Sequence, residues 1–140
     1  MIEINNLTRT KINKKFLSTV AKKVITGENK EIENLSIAFV SSEEIKKLNK
    51  EHRKKDKPTD VLSFGKAFDF TDDSAEIVIC PDVVKQNAKS YGVTFEKEMT
   101  KMLIHGILHI LGYDHEKSEK EAVLMEARED FYLNNIFKPK

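Results

Sequence analysis

A chain of 140 residues, 39% of them hydrophobic, is one domain that buries roughly two-thirds of the surface its unfolded form would expose. No apolar run approaches a membrane span. The opening MIEINNLTRT lacks the basic-then-apolar order of a secretory signal, and the single Cys80 excludes an internal disulfide, so a reducing cytoplasm is the expected location. The net charge is only +1, but residues 1–66 carry 15 Lys/Arg against 9 Asp/Glu and residues 67–140 carry 9 against 14, so a basic surface for a polyanion is expected from the first half.

In chain order, Met1–Asn6 alternates apolar and polar residues as a half-buried strand does. Thr10 or Asn13 begins a helix to about Ile25, with Phe16, Leu17, Val20, Ala21 and Val24 on one face and Gly27 as its stop. Glu33–Val40 is a central strand. Ser41 or Ser42 caps the next helix, with Glu43 and Glu44 in its first turn and Ile45, Leu48 and His52 as its inner stripe. Pro58 makes the following segment a loop that becomes a strand at Val61–Phe64.

Gly65–Ser74 is polar and punctuated, a connection whose Phe68 and Phe70 pack beneath it or stack on bases. Glu76–Cys80 is a compact strand ended by Pro81, and Cys80 is expected as a small buried hydrophobe. Pro81 suits the first position of a helix to about Ser90, broken at Gly92. Thr94 caps a further helix whose Phe95, Met99, Leu103, Gly106, Ile107, Ile110 and Leu111 form a broad apolar arc. Ser118 to about Leu133 is the last helix, marked by Ala122, Met125, Glu129 and Tyr132, and Asn134–Lys140 is a loose tail. The expected fold is α+β: a single domain with one four-stranded mixed sheet, about five helices and a metal site on a central helix.

That site is read from His105–His115, HGILHILGYDH, which holds three of the four histidines. His105 and His109 are four apart and share one helical face. Gly112 ends the helix, because glycine takes the left-handed conformation without a Cβ penalty, and the turn can carry His115 back toward the same ion. Structural zinc sites are closed by four ligands, whereas three leave a position for water or substrate. The expectation is therefore a catalytic metal site on His105, His109 and His115. Zinc, one ion per chain, is favoured because three imidazoles suit borderline metals. Zinc proteases place a glutamate base after their first histidine; here that residue is Gly106.

The stretch resembles the signature of the YbeY family of bacterial rRNA-processing endoribonucleases, close to HGxLHLxGYDH, with Ile110 as a conservative departure. A second segment, Arg53–Phe64 (RKKDKPTDVLSF), resembles that family's other signature, in the same order along the chain. The resemblance implies a zinc-dependent, single-strand-directed endoribonuclease acting in small-subunit rRNA maturation and ribosome quality control. It implies RNA rather than DNA or a membrane as partner, and the small ribosomal subunit or an associated GTPase as assembly partners. It also makes Arg53 and His115 catalytic residues. A guanidinium suits the developing charge of a phosphodiester, and Lys54, Lys55 and Lys57 either add nonspecific phosphate attraction or are simply solvated.

Asp60 and Ser63 match the motif, but capping and sheet-edge hydrogen bonds are equally available to them. Asp114 either orients a ligand histidine or holds the turn. The chain departs from the family pattern at Gly65, often proline, at Ala75-Glu76, commonly Gly-Asp, and at Lys101, often histidine. Two other functions compete: a metallopeptidase, on the histidine frame, and a non-catalytic ribosome-assembly factor with a structural metal.

Overall fold

The computed structural model describes residues 1–65 and 74–138. Four strands, β1 (Ile2–Asn6), β2 (Asn34–Phe39), β3 (Val61–Phe64) and β4 (Ser74–Ile79), form one sheet in the order β1-β2-β4-β3. β1 and β4 run parallel to β2, with Ile4 opposite Ile37 and Ile37 opposite Ile77. β3 is antiparallel to β4 and, among the described residues, is an edge strand of the sheet. The sheet is mixed, as the sequence predicts. β4 starts two residues earlier than expected, because Ser74 and Ala75 pair with Asn34 and Leu35 and so leave the loop. Phe68 and Phe70 lie outside the described residues.

The described residues also form five helices: α1 (Lys14–Gly27), α2 (Ser42–Arg53), α3 (Pro81–Tyr91), α4 (Phe95–Ile110) and α5 (Glu119–Ile136). Their starts follow local chemistry. Asn13, Ser41, Thr94 and Ser118 each accept a hydrogen bond from the backbone N–H three residues on, and Pro81 opens α3. The choice between Thr10 and Asn13 therefore falls to Asn13. α5 runs three residues beyond the expected end. Ile136 and Phe137 pack against the core, with the Phe137 ring 6.3 Å from that of Phe16, so the tail is anchored there.

The period-2 pattern divides each strand between two cores. Leu35, Ile37, Phe39, Ile77 and Ile79 face the larger core with α1, α4 and α5, while Val40, Leu62, Val78 and Cys80 join Ile45 of α2 on the other side. Cys80 is fully buried, as expected. α4 is central: it packs against α1, α3, α5, β3 and β4. On α2 the inner stripe is Ile45, half-buried Leu48 and buried Asn49; His52, expected there, is exposed. Asn49 replaces it because its amide nitrogen donates to the Lys57 carbonyl at 2.9 Å, tying the loop after Arg53 to the helix.

Candidate active site

α4 carries His105 and His109 on the face turned from its apolar arc. Beyond its end at Ile110, Gly112 takes φ +114°, in the left-handed region that glycine accepts at little cost. The chain reverses there and returns His115, whose ring lies 5.0 Å from that of His105. Asp114 holds this turn: its carboxylate accepts from the Glu116 N–H at 3.0 Å and its carbonyl from the Lys117 N–H at 3.3 Å. Of its two expected roles, the turn is the one observed.

The opposite wall comes from α2 and β3. Arg53, the last residue of α2, lines the same cavity as His105, His109 and His115, with His52, Glu116 and Val61–Gly65 completing a cleft of about 420 Å³. The fold thus brings together the sequence-predicted Arg53, His105, His109 and His115 from two separated segments. Arg53 donates from Nη2 to Glu116 Oε1 at 2.8 Å. The exposed His52 ring stands edge-to-face on Phe64, with centroids 4.7 Å apart.

Asp60 and Ser63 have structural partners. Asp60 accepts from the Val61 N–H at 2.8 Å and from Asn87 at 3.4 Å. Ser63 donates to the Gly106 carbonyl at 3.3 Å and so links β3 to α4. Gly106 faces the sheet, not the cleft. A Cβ there would sit 3.1 Å from Ile77 Cγ2 and 3.2 Å from Ser63 Oγ. The glycine lets α4 approach β4, and the position has no room for a protease-type glutamate.

Sequence reading missed the groups behind the histidines. Buried Glu129 of α5 pairs through Oε1 with His105 Nδ1. The sequence marks Glu129 only as one of the inward turns of its helix. His109 Nδ1 donates to the Tyr113 carbonyl at 3.1 Å. The Tyr113 hydroxyl donates to Glu28 Oε1 at 2.7 Å, and Glu28 Oε2 also accepts from Arg128 Nη2 at 2.6 Å and from the Tyr132 hydroxyl.

Burial raises the Glu28 carboxyl pKa, but the hydrogen bonds from Tyr132, Tyr113 and Arg128 outweigh it and hold the pKa below the usual range. Burial and the Glu28 bond push the Tyr132 phenol up to about 12. Two turns before His105, Glu98 is buried; burial raises its pKa, the charge of Lys101 opposes this, and Asp60 and Glu129 add to it. Lys101 therefore has an electrostatic partner on its own helix.

The imidazoles suit a borderline metal in kind: Nδ1 of His105 and of His109 is engaged elsewhere, which leaves each Nε2 as the remaining ring nitrogen. Among the described residues, no three His, Cys, Asp or Glu side chains already form a metal-holding group.

The profile of the family described as Endoribonuclease YbeY matches residues 3–137. The chain belongs to the YbeY family. Relatives named Endoribonuclease YbeY include one from Thermotoga neapolitana, 42% identical over 126 residues that cover 89% of this chain and 83% of the relative. Another, from Aquifex aeolicus, is 35% identical over 134 residues, covering 94% and 89%. A solution structure of a Thermotoga maritima protein superposes with a TM-score of 0.72 at 33% identity, covering 98% of this chain and 89% of that one. The YbeY assignment thus extends over both signature segments and the sheet that joins them. Among the described residues, no helix is long and apolar enough to cross a membrane.

Proposed function

We propose that this YbeY-family chain is a metal-dependent endoribonuclease that cuts single-stranded rRNA during maturation of the small ribosomal subunit and in ribosome quality control. The observation that carries the reading is the convergence of Arg53 with three histidines on one cleft, together with relatives named endoribonucleases. His105, His109 and His115 would hold one zinc ion, which when bound supplies Lewis-acid charge beside the scissile phosphate.

The chain's own groups supply the rest. The Arg53 guanidinium offers two parallel N–H donors to phosphate oxygens and neutralises charge that builds on them. For that, Arg53 exchanges its bond to Glu116 for one to the substrate. Lys54, Lys55 and Lys57, on the exposed loop beyond Arg53, attract the flanking backbone without reading sequence. A single strand suits this chemistry, because an unpaired nucleotide can turn its phosphate toward Arg53 while its base leaves the stack. The small ribosomal subunit or an associated GTPase, in the cytoplasm, is the proposed setting.

One observation favours a second reading, a metallopeptidase: the cleft runs along β3, the edge strand among the described residues, where an extended peptide could add as a strand. Against it, Gly106 packs on Ile77 where such an enzyme needs its carboxylate base. The test uses rigorously nuclease-free protein, metal-stripped and then reloaded with zinc, against single-stranded RNA, duplex RNA and an unstructured peptide. Zinc-restored cutting of single-stranded RNA alone is expected, absent from a His109→Ala control. Peptide hydrolysis would establish the second reading. Metal-loaded protein that cuts neither substrate would make the chain a binding factor.

A further inference from the structure

Two of the three cleft histidines are held from behind, and both holds trace to α5. Glu129 is 5% exposed, and its carboxylate meets Nδ1 of His105 across 24 residues of sequence. A carboxylate that deep is costly unless it is paired. The neighbouring Arg128 and Tyr132, on the next turn, grip Glu28 of the α1 cap. Glu28 in turn holds the phenol of Tyr113, whose backbone carbonyl receives Nδ1–H of His109. α5 therefore reaches His105 in one step and His109 in three.

We infer that α5 is the orienting element of the cleft, with Glu129 directly and the Glu28–Arg128–Tyr132 clamp through Tyr113 fixing His105 and His109 as Nδ1–H tautomers that present Nε2. This deepens the three-histidine reading of the site and rests on it for its function. These are positioning residues: they act on the rings and not on the substrate. The physical basis is general. A neutral imidazole carries one ring proton, and the partner of one nitrogen decides which nitrogen keeps a lone pair. Free histidine favours the proton on Nε2, the wrong arrangement for donation from that atom. A carboxylate behind the ring reverses the preference. The clamp does the same for His109 with a carbonyl, and needs the turn after Gly112 to stay in place.

The experiment reads the rings of the metal-free protein, by long-range 15N–1H correlation on 15N-histidine-labelled chain near pH 8, where an ordinary imidazole is neutral. Wild type should show Nδ1–H at both His105 and His109. Glu129→Leu removes the acceptor and should move His105 toward Nε2–H while leaving His109 unchanged. Its zinc dissociation constant should weaken about 10- to 100-fold. Glu129→Gln, whose amide oxygen can still accept, should restore part of both. A merely structural Glu129 would change stability without moving the tautomer signal.

Nε2–H at His105 in wild type overturns the inference, and needs no variant to fold. So does a folded Glu129→Leu chain that keeps Nδ1–H and full zinc affinity. If wild type shows both Nδ1–H tautomers yet binds no zinc, the orienting role stands and the metal reading falls.

Discussion

Replacing Gly106 with alanine sets two opposing effects against each other. In a helix interior alanine is favoured over glycine by about 0.8–1.0 kcal/mol. Against this, the new Cβ would lie 3.1 and 3.3 Å from two Ile77 carbons and 3.2 Å from Ser63 Oγ. Ile77 is fully buried on a central strand and cannot retreat, and the Ser63 hydroxyl is tied to the Gly106 carbonyl. Overpacking of this kind costs about 1–3 kcal/mol. The sum is a net loss of roughly 0–2 kcal/mol, read as a lower urea midpoint at unchanged slope. Any helix shift that relieves the contact also moves His105 and His109, so zinc affinity should fall in parallel. Gly106→Glu should be worse by several kcal/mol, because it presses an unpaired carboxylate into an apolar contact, and no peptidase should result. Stabilisation of Gly106→Ala by about 1 kcal/mol would refute the close helix–sheet approach.

Further outcomes can be checked on the same protein. Alanine at His105, His109 or His115 should remove most bound zinc in elemental analysis; a full equivalent in all three variants contradicts the ligand set. Arg53→Ala should keep its zinc and melting temperature but cleave about 10²–10³-fold more slowly in single turnover at saturating RNA, with Arg53→Lys a partial rescue. Glu28→Gln should cost about 1–3 kcal/mol at pH 7. Because the folded Glu28 pKa lies below 4.5, its contribution is present above that pH and is lost as pH falls through the folded value, so the two chains should converge in acid. On the alkaline side, the Tyr132 contribution is present below pH 10 and should fade as pH rises through about 12, visible in the absorbance of the phenolate. Glu116→Gln should tighten RNA binding by a few-fold at low salt, because Glu116 occupies the Arg53 guanidinium.

What was legible in the sequence was local. Helix starts at Ser41, Thr94 and Ser118 follow from side chains that reach three residues on, and the stop at Gly112 follows from one backbone angle. The spacing of His105 and His109 is a property of any helix. What was not legible depends on residues far apart in the chain. Glu129 has the spacing of an inward position on α5, and nothing local says that the side chain beneath it is His105. Glu28 looks like an exposed helix-end acid until Tyr113, Arg128 and Tyr132, 85 to 104 residues away, close on it. Gly106 reads as a missing base, although its role is to admit Ile77. The start of β4 is hidden in the sequence for the same reason, since Ser74 is polar and its parallel partner Asn34 makes it strand.

The Arg53–Glu116 pair sets what a substrate must displace in the cleft. Both side chains are substantially exposed, so their bond is worth about 0.2–1 kcal/mol and yields readily. A phosphate carries its negative charge on several oxygens and can take both guanidinium donors, so it outcompetes a single carboxylate oxygen at the same place. Until it does, Glu116 keeps Arg53 at the rim beside His115, whose Nε2 stands 3.9 Å from the same carboxylate oxygen. One carboxylate thus faces two of the groups proposed to meet the substrate. Its removal should free both, so the gain in RNA affinity for Glu116→Gln corresponds to the pair's 0.2–1 kcal/mol, about 1.4- to 5-fold. The gain should shrink as salt rises, because the competing charges are exposed and screened. An affinity that falls instead would mean that Glu116 presents Arg53 to the phosphate and does not compete with it.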